Sequence, residues 1–141
     1  MYASSGLRRM EILGLQKMDI DFEKQTIKPK AHSGETKKVW ISFFNNETAE
    51  VLKQYLKSRK DGNPKLFPMA NTRSHKLWKN ARDKTSLNIT PQRLREWFCV
   101  EMTNLGVSDS YIDAFCGRVP KSVLAKHYSD YSPERLKQIY D

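Results

Sequence analysis

Near the N-terminus the chain reads SSGLRRMEILGL, which sets Arg8 and Arg9 inside an otherwise apolar stretch; near the C-terminus it reads AKHYSDYSP, which sets Tyr128 next to His127, with Tyr131 three residues on. Between them, TPQRLREWF puts Arg95 among Leu94, Trp97 and Phe98, and FCGRVP puts Arg118 directly after Gly117. Arginine suits phosphate, because its planar fork makes bidentate contacts and keeps its charge. Any one of these arginines could be an ordinary surface or salt-bridged residue. Together, each beside an apolar run or a glycine turn, they describe a phosphate cradle assembled from distant parts of the chain. HExxH, a Walker glycine loop and a carboxylate cluster are all missing from the sequence, so neither a metal nor a nucleotide cofactor is expected. Phosphodiester cleavage without a metal needs cationic donors for the nonbridging oxygens, a side-chain nucleophile and a proton donor for the leaving oxygen. Arginines at one end and tyrosines at the other supply the first two if the ends meet around a phosphate.

The balance of charge points the same way. Lys plus Arg number 25 against 16 acidic residues, giving +9 over 141 residues and a pI near 9.6. That excess favours a polyanionic partner, of which nucleic acid is the usual one, although a solvated basic surface would have the same composition. Hydrophobic residues make up 38% and aromatics 11%, a globular rather than disordered composition. Neither a membrane-length apolar run nor a secretory leader is present, so a soluble, cytoplasmic protein is expected. Cys99 and Cys116 lack metal-ligand spacing and read as reduced, buried thiols.

The elements that must position these residues can be read from periodicity and capping. Apolar residues at 7, 10, 12, 13 and 15 suit a short helix from Ser5 to Leu15, with Gly6 at its start. Asp21 to Lys24 reads as a turn, Gln25 to Lys30 as a strand, HSGE as a second turn and Lys37 to Phe43 as another strand. Together these make a small antiparallel sheet with a basic hairpin tip. Asn46 is expected to cap a helix with Val51, Leu52, Tyr55 and Leu56 on one face, followed by the loop DGNPKLFP. A further helix is expected from Arg73 to Lys84, with Leu77 and Trp78 inward. Thr90 and Pro91 open another that ends at Gly106. Short helices follow over 108–115, 120–128 and 133–140. One domain results, mainly α with a small antiparallel β-sheet. Its abrupt start leads to the expectation of a C-terminal fragment of a longer protein.

These segments, in this order, resemble the boxes of the tyrosine recombinases. Gly6, Leu7, Arg8, Glu11 and Ile12 are similar to that family's first-arginine turn; Gln92 to Glu96 to its His-x-x-Arg-His box, with Arg95 as the arginine; Gly117-Arg118 to the Gly-His pair about ten residues before the nucleophile. Tyr128 then falls in the nucleophile's register. The resemblance covers essentially the whole chain. With Gln92 and Arg118 where histidines are usual, and with TKKVWISFF, it looks most like integrases of archaeal viruses and plasmids.

The resemblance implies the DNA breaking–rejoining catalytic fold over residues 1–141, without the upstream domain that clamps the DNA's other face. It implies that Tyr128 attacks the scissile phosphate, that Arg8 and Arg95 hold its nonbridging oxygens with help from Arg118, and that a hairpin lysine protonates the leaving oxygen. Lys37 is the first choice for that lysine and Lys30 the runner-up. Lys30, Gln92 and His127 are expected to contact DNA. Glutamine cannot act as a base, so which group takes the tyrosine proton stays open. The implied partners are double-stranded DNA attachment sites and, on DNA, three further copies of the chain, in the cytoplasm of a host cell. The last helix could pack on its own domain or on a neighbour. A type IB topoisomerase and a non-catalytic DNA-binding domain are the competing readings.

Overall fold

The computed structural model describes residues 1–29, 41–118 and 129–141. Gly6 divides the first helical stretch in two. The helix expected from Ser5 to Leu15, with Gly6 at its start, is the shorter α2 (Arg9–Gly14), and a separate one-turn helix α1 (Tyr2–Ser5) precedes the break at Gly6. The break follows from backbone sterics: Gly6 is left-handed at φ 63°, which closes α1 and cannot continue a helix. Arg8 is extended at the N-cap of α2, and its backbone N–H donates to Glu11 Oε2 at 2.6 Å. Glu11 thus supplies the reciprocal half of a capping box.

Among the described residues, three short strands follow, β1 (Ile20–Asp21), β2 (Thr26–Ile27) and β3 (Ser42–Phe43), antiparallel in that order. Ile20 pairs with Ile27 and Thr26 with Phe43. Asp21 makes the first turn as expected, its Oδ1 accepting from the N–H groups of Glu23 and Lys24. The expected hairpin tip, with Lys30 and Lys37, lies outside the described residues. Neighbouring residues on a strand face opposite ways, and the core uses that. Phe43 packs into one apolar cluster with Phe98, Met102, Phe115 and Leu136; Phe44 packs into another with Leu7, Ile12, Ile27 and Leu52.

The helices α3 (Asn46–Ser58), α4 (Asn71–Thr85), α5 (Pro91–Asn104) and α6 (Asp109–Phe115) come next, then α7 (Pro133–Tyr140). Asn45 caps α3 rather than Asn46, its Oδ1 accepting from Thr48 N–H at 3.0 Å. Two expected core residues face outward: Val51 is 61% exposed and Leu77 48%. Ala49 and Leu52 bury α3, and Ser74 is the buried residue of α4. Thr90 and Pro91 open α5 as expected, Thr90 Oγ1 accepting from Arg93 N–H. Helix α7 packs on its own domain: Leu136 is buried, and Tyr140 Oη donates to Ser4 O at 2.5 Å. Among the described residues, no helix is long and apolar enough to cross a membrane.

Candidate active site

The carbonyl of Cys116, just beyond α6, draws two of the arginines together. Arg95, on the second turn of α5, donates through Nη2 to Cys116 O at 2.9 Å and through Nη1 to Gly6 O. Arg8 donates through Nη1 to the same Cys116 oxygen at 3.4 Å and to Glu11 Oε1 at 2.7 Å. Glu11 Oε2 lies 4.0 Å from Arg95 Nη1, so one carboxylate serves both cations. Arg118 follows two residues after Cys116; its Nη1 donates to Asp113 Oδ1 at 3.1 Å. Residues 108 apart in sequence therefore meet, because Arg8 after the Gly6 break and Arg95 on the second turn of α5 share the carbonyl at the end of α6 and the carboxylate of Glu11.

Burial separates the roles of the three. Arg95 is only 4% exposed, whereas the side chains of Arg8 and Arg118 are 30% and 49% exposed. Burial lowers the Arg95 pKa, and the charges of Arg8 and Arg118 lower it further, while Glu11 opposes them. A guanidinium stays charged even so. The Asp113 hydrogen bond pushes Arg118 the other way, upward. Three guanidinium groups face two carboxylates, Glu11 and Asp113, in this cluster. An oxyanion would neutralise the remaining charge in a partly desolvated setting, where such contacts are strong.

Beside the cluster runs an open groove of about 520 Å³, lined by Arg8, Arg9, His75, Arg82, Gln92 and Arg95 among others. The N-terminal end of α5 contributes Thr90 and Pro91 to it, adding the positive end of a helix dipole. Gln92 Nε2 donates to Glu96 Oε1 at 3.0 Å. Arg9 Nη1 lies 2.8 Å from His75 Nε2, which ties α2 to α4 across the groove. Arg9, His75 and Arg82 were not singled out from the sequence as groove residues. A signal existed, since His75 and Arg82 are two helical turns apart and share a face of α4.

Arg8, Arg95 and Arg118 are thus brought together, with Gln92 close by in the groove. Lys30, Lys37, His127 and Tyr128 lie outside the described residues. The other C-terminal tyrosines have structural employment. Tyr111 and Tyr131 pack edge-on at 5.6 Å, and Tyr140 stacks near Phe43 with its hydroxyl bonded and its pKa raised by burial. Among the described residues, no group of three or more His, Cys, Asp or Glu could hold a metal ion. Cys116 is buried as expected, but Cys99 is only half-buried, and both are free thiols.

Residues 1–135 match the phage integrase family, and the chain belongs to it. Among curated proteins it is similar to tyrosine recombinase XerA of Pyrococcus horikoshii, 30% identical over 95% of this chain and 49% of that one. The XerA of Saccharolobus solfataricus is 30% identical over 74% of this chain and 35% of that one. The chain spans half or less of the length of these relatives. In three dimensions it resembles a crystal structure of XerA recombinase, with a TM-score of 0.74 and 22% identity over 99% of this chain and 54% of the other. A Tn1549 transposon integrase in complex with transposon right end DNA has a TM-score of 0.65 and 20% identity, over 96% of this chain and 54% of that one. The mainly helical fold with a small antiparallel sheet is the fold of these recombinase structures.

Proposed function

We propose that this chain is the catalytic domain of a site-specific DNA recombinase, which cuts and rejoins strands through a 3′-phosphotyrosine intermediate. One observation carries the reading: Arg8 and Arg95, from separate segments, converge on the Cys116 carbonyl and Glu11 beside a basic groove, with Arg118 two residues beyond Cys116 and held by Asp113. The phenolic oxygen of Tyr128 attacks the scissile phosphorus, and the bond to the 5′ oxygen breaks. Arg8 and Arg95 hold the nonbridging oxygens as negative charge develops, with Arg118 assisting. Lys37, or Lys30 in its stead, gives a proton to the departing 5′ oxygen. Because the phosphotyrosine bond conserves the phosphodiester energy, rejoining by a 5′ hydroxyl needs no nucleotide cofactor and no metal.

Gln92 and His127 serve as DNA contacts in this scheme rather than as the base. The partner is double-stranded DNA carrying attachment sites, engaged by four copies of the chain in a host cell's cytoplasm; an upstream domain would clamp the far face of the duplex. Gln92 and Arg118 at positions where histidine is usual, and the sequence TKKVWISFF, support the narrower reading of an integrase from an archaeal virus or plasmid. The test is a nicked suicide duplex incubated in EDTA with wild type and with Tyr128→Phe. A denaturation-resistant protein–DNA adduct from wild type alone is expected. Salt-sensitive binding without an adduct from either protein would instead favour a non-catalytic DNA-binding domain.

A further inference from the structure

Cys99 and Cys116 lie under the arginine cluster with their sulfurs 3.5 Å apart. Cys99 stands one turn beyond Arg95 on α5; Cys116 supplies the carbonyl that both Arg8 and Arg95 grip. The sulfurs need to approach only from 3.5 Å to about 2 Å to bond. Access is asymmetric, Cys99 being half-buried and Cys116 fully buried. We infer that Cys99 and Cys116 are a thiol–disulfide exchange site, closed by small-molecule disulfides into a staple that fixes α5 to the end of α6. Their acidities favour this division of labour. The hydrogen bond from Cys116 lowers the Cys99 pKa, with Arg118 and Arg95 adding to the effect, while the same hydrogen bond and burial raise Cys116. Cys99 is therefore the attacking thiolate.

The exchange balances without any other reactant. Cys99 thiolate attacks one sulfur of the small disulfide, displacing a thiolate and leaving a mixed disulfide on Cys99. The Cys116 sulfur attacks that of Cys99 and its proton passes to the departing second sulfur, which leaves as a thiol. Two electrons leave the protein, and the small disulfide becomes two thiols. The closed bond ties the segments that carry Arg95 and Arg118, so it holds the cluster together when the domain is heated. This last consequence rests on the recombinase reading; the closure itself does not.

The experiment incubates the whole chain in graded mixtures of reduced and oxidised glutathione, quenches with acid, alkylates, and maps the cysteines by mass spectrometry. Closure is expected as an intramolecular Cys99–Cys116 peptide, with both alkylation sites lost together and restored by reductant. A melting temperature raised by roughly 10 °C should accompany it, from cross-linking residues 17 apart. Cys99→Ser, at the more exposed position, should fold normally and show neither change. Persistent alkylation of both thiols, glutathione retained on Cys99, or closure without a rise in melting temperature would each overturn the inference. Adduct formation is then compared between the two melting temperatures, where only the closed protein is expected to react. Failure of both forms to make adduct at low temperature would sink the recombinase reading and leave the staple standing.

Discussion

Substituting alanine at Gly6 tests the packing that brings the arginines together. Gly6 has φ +63°, and a Cβ there would lie 2.6 Å from Phe98 Cδ1, 2.7 Å from Phe98 Cε1 and 3.1 Å from Cys116 Sγ. Two costs add. The left-handed conformation costs a non-glycine residue about 1–2 kcal/mol. Forcing a methyl group against a buried aromatic ring costs about 1–3 kcal/mol more. Gly6→Ala should therefore lose about 2–5 kcal/mol, and the displaced turn carries the carbonyl that receives Arg95. Two other glycines separate the contributions. Gly106 has φ +82° with nothing within 4 Å, so Gly106→Ala should lose only the strain, about 1–2 kcal/mol. Gly62 also has nothing within 4 Å and no positive φ, so Gly62→Ala should be neutral or slightly stabilising. Urea unfolding of the three variants, compared at constant m-value, measures all of this. If Gly6→Ala were no worse than Gly106→Ala, the close approach of Gly6, Phe98 and Cys116 would be wrong.

Two further outcomes are expected. A scissile linkage with sulfur in place of the bridging 5′ oxygen leaves without protonation, so it should restore most of the roughly 10²–10⁴-fold rate lost by Lys37→Ala; restoration of Lys30→Ala instead would move the acid to Lys30. Asp61 is held by Arg59 at a pKa of about 2, below its ordinary 3.8. A lowered folded value means that its stabilisation is complete above about pH 4 and is lost as pH falls through about 2. The melting-temperature gap between wild type and Asp61→Asn should shrink over that window, and a gap independent of pH would contradict the pairing.

Capping chemistry made several helix boundaries legible. Thr90-Pro91 opens α5 because the Thr90 side-chain oxygen satisfies a backbone donor and Pro91 needs none. The turn expected at Gly6 forms, but the helix after it starts only at Arg9, because Arg8 stays extended as the N-cap and apolar spacing does not show where a helix begins. Val51 and Leu77 were assigned inward because apolar character alone does not say which side of a wide stripe meets the core. The two-residue strand β1 is too short to show an alternation. Arg8, Arg95 and Arg118 were legible through their motifs, but the Cys116 carbonyl that gathers Arg8 and Arg95 carries no side-chain signal. Arg9, His75 and Arg82 escaped because polar residues on one helix face look the same whether they meet bulk solvent or a groove.

The central claim is that the arginines act on the charge of one scissile phosphate. Single-turnover cleavage of two suicide duplexes by wild type and Arg8→Ala tests it most directly, one duplex with a natural scissile phosphate and the other with a neutral methylphosphonate there. With the natural phosphate, Arg8→Ala should be slower by roughly 10²–10³-fold. With the methylphosphonate that gap should largely close, because there is little charge left for the guanidinium to stabilise. An equal gap on both duplexes would mean that Arg8 supports the fold or DNA binding and not the phosphate, and would contradict the account.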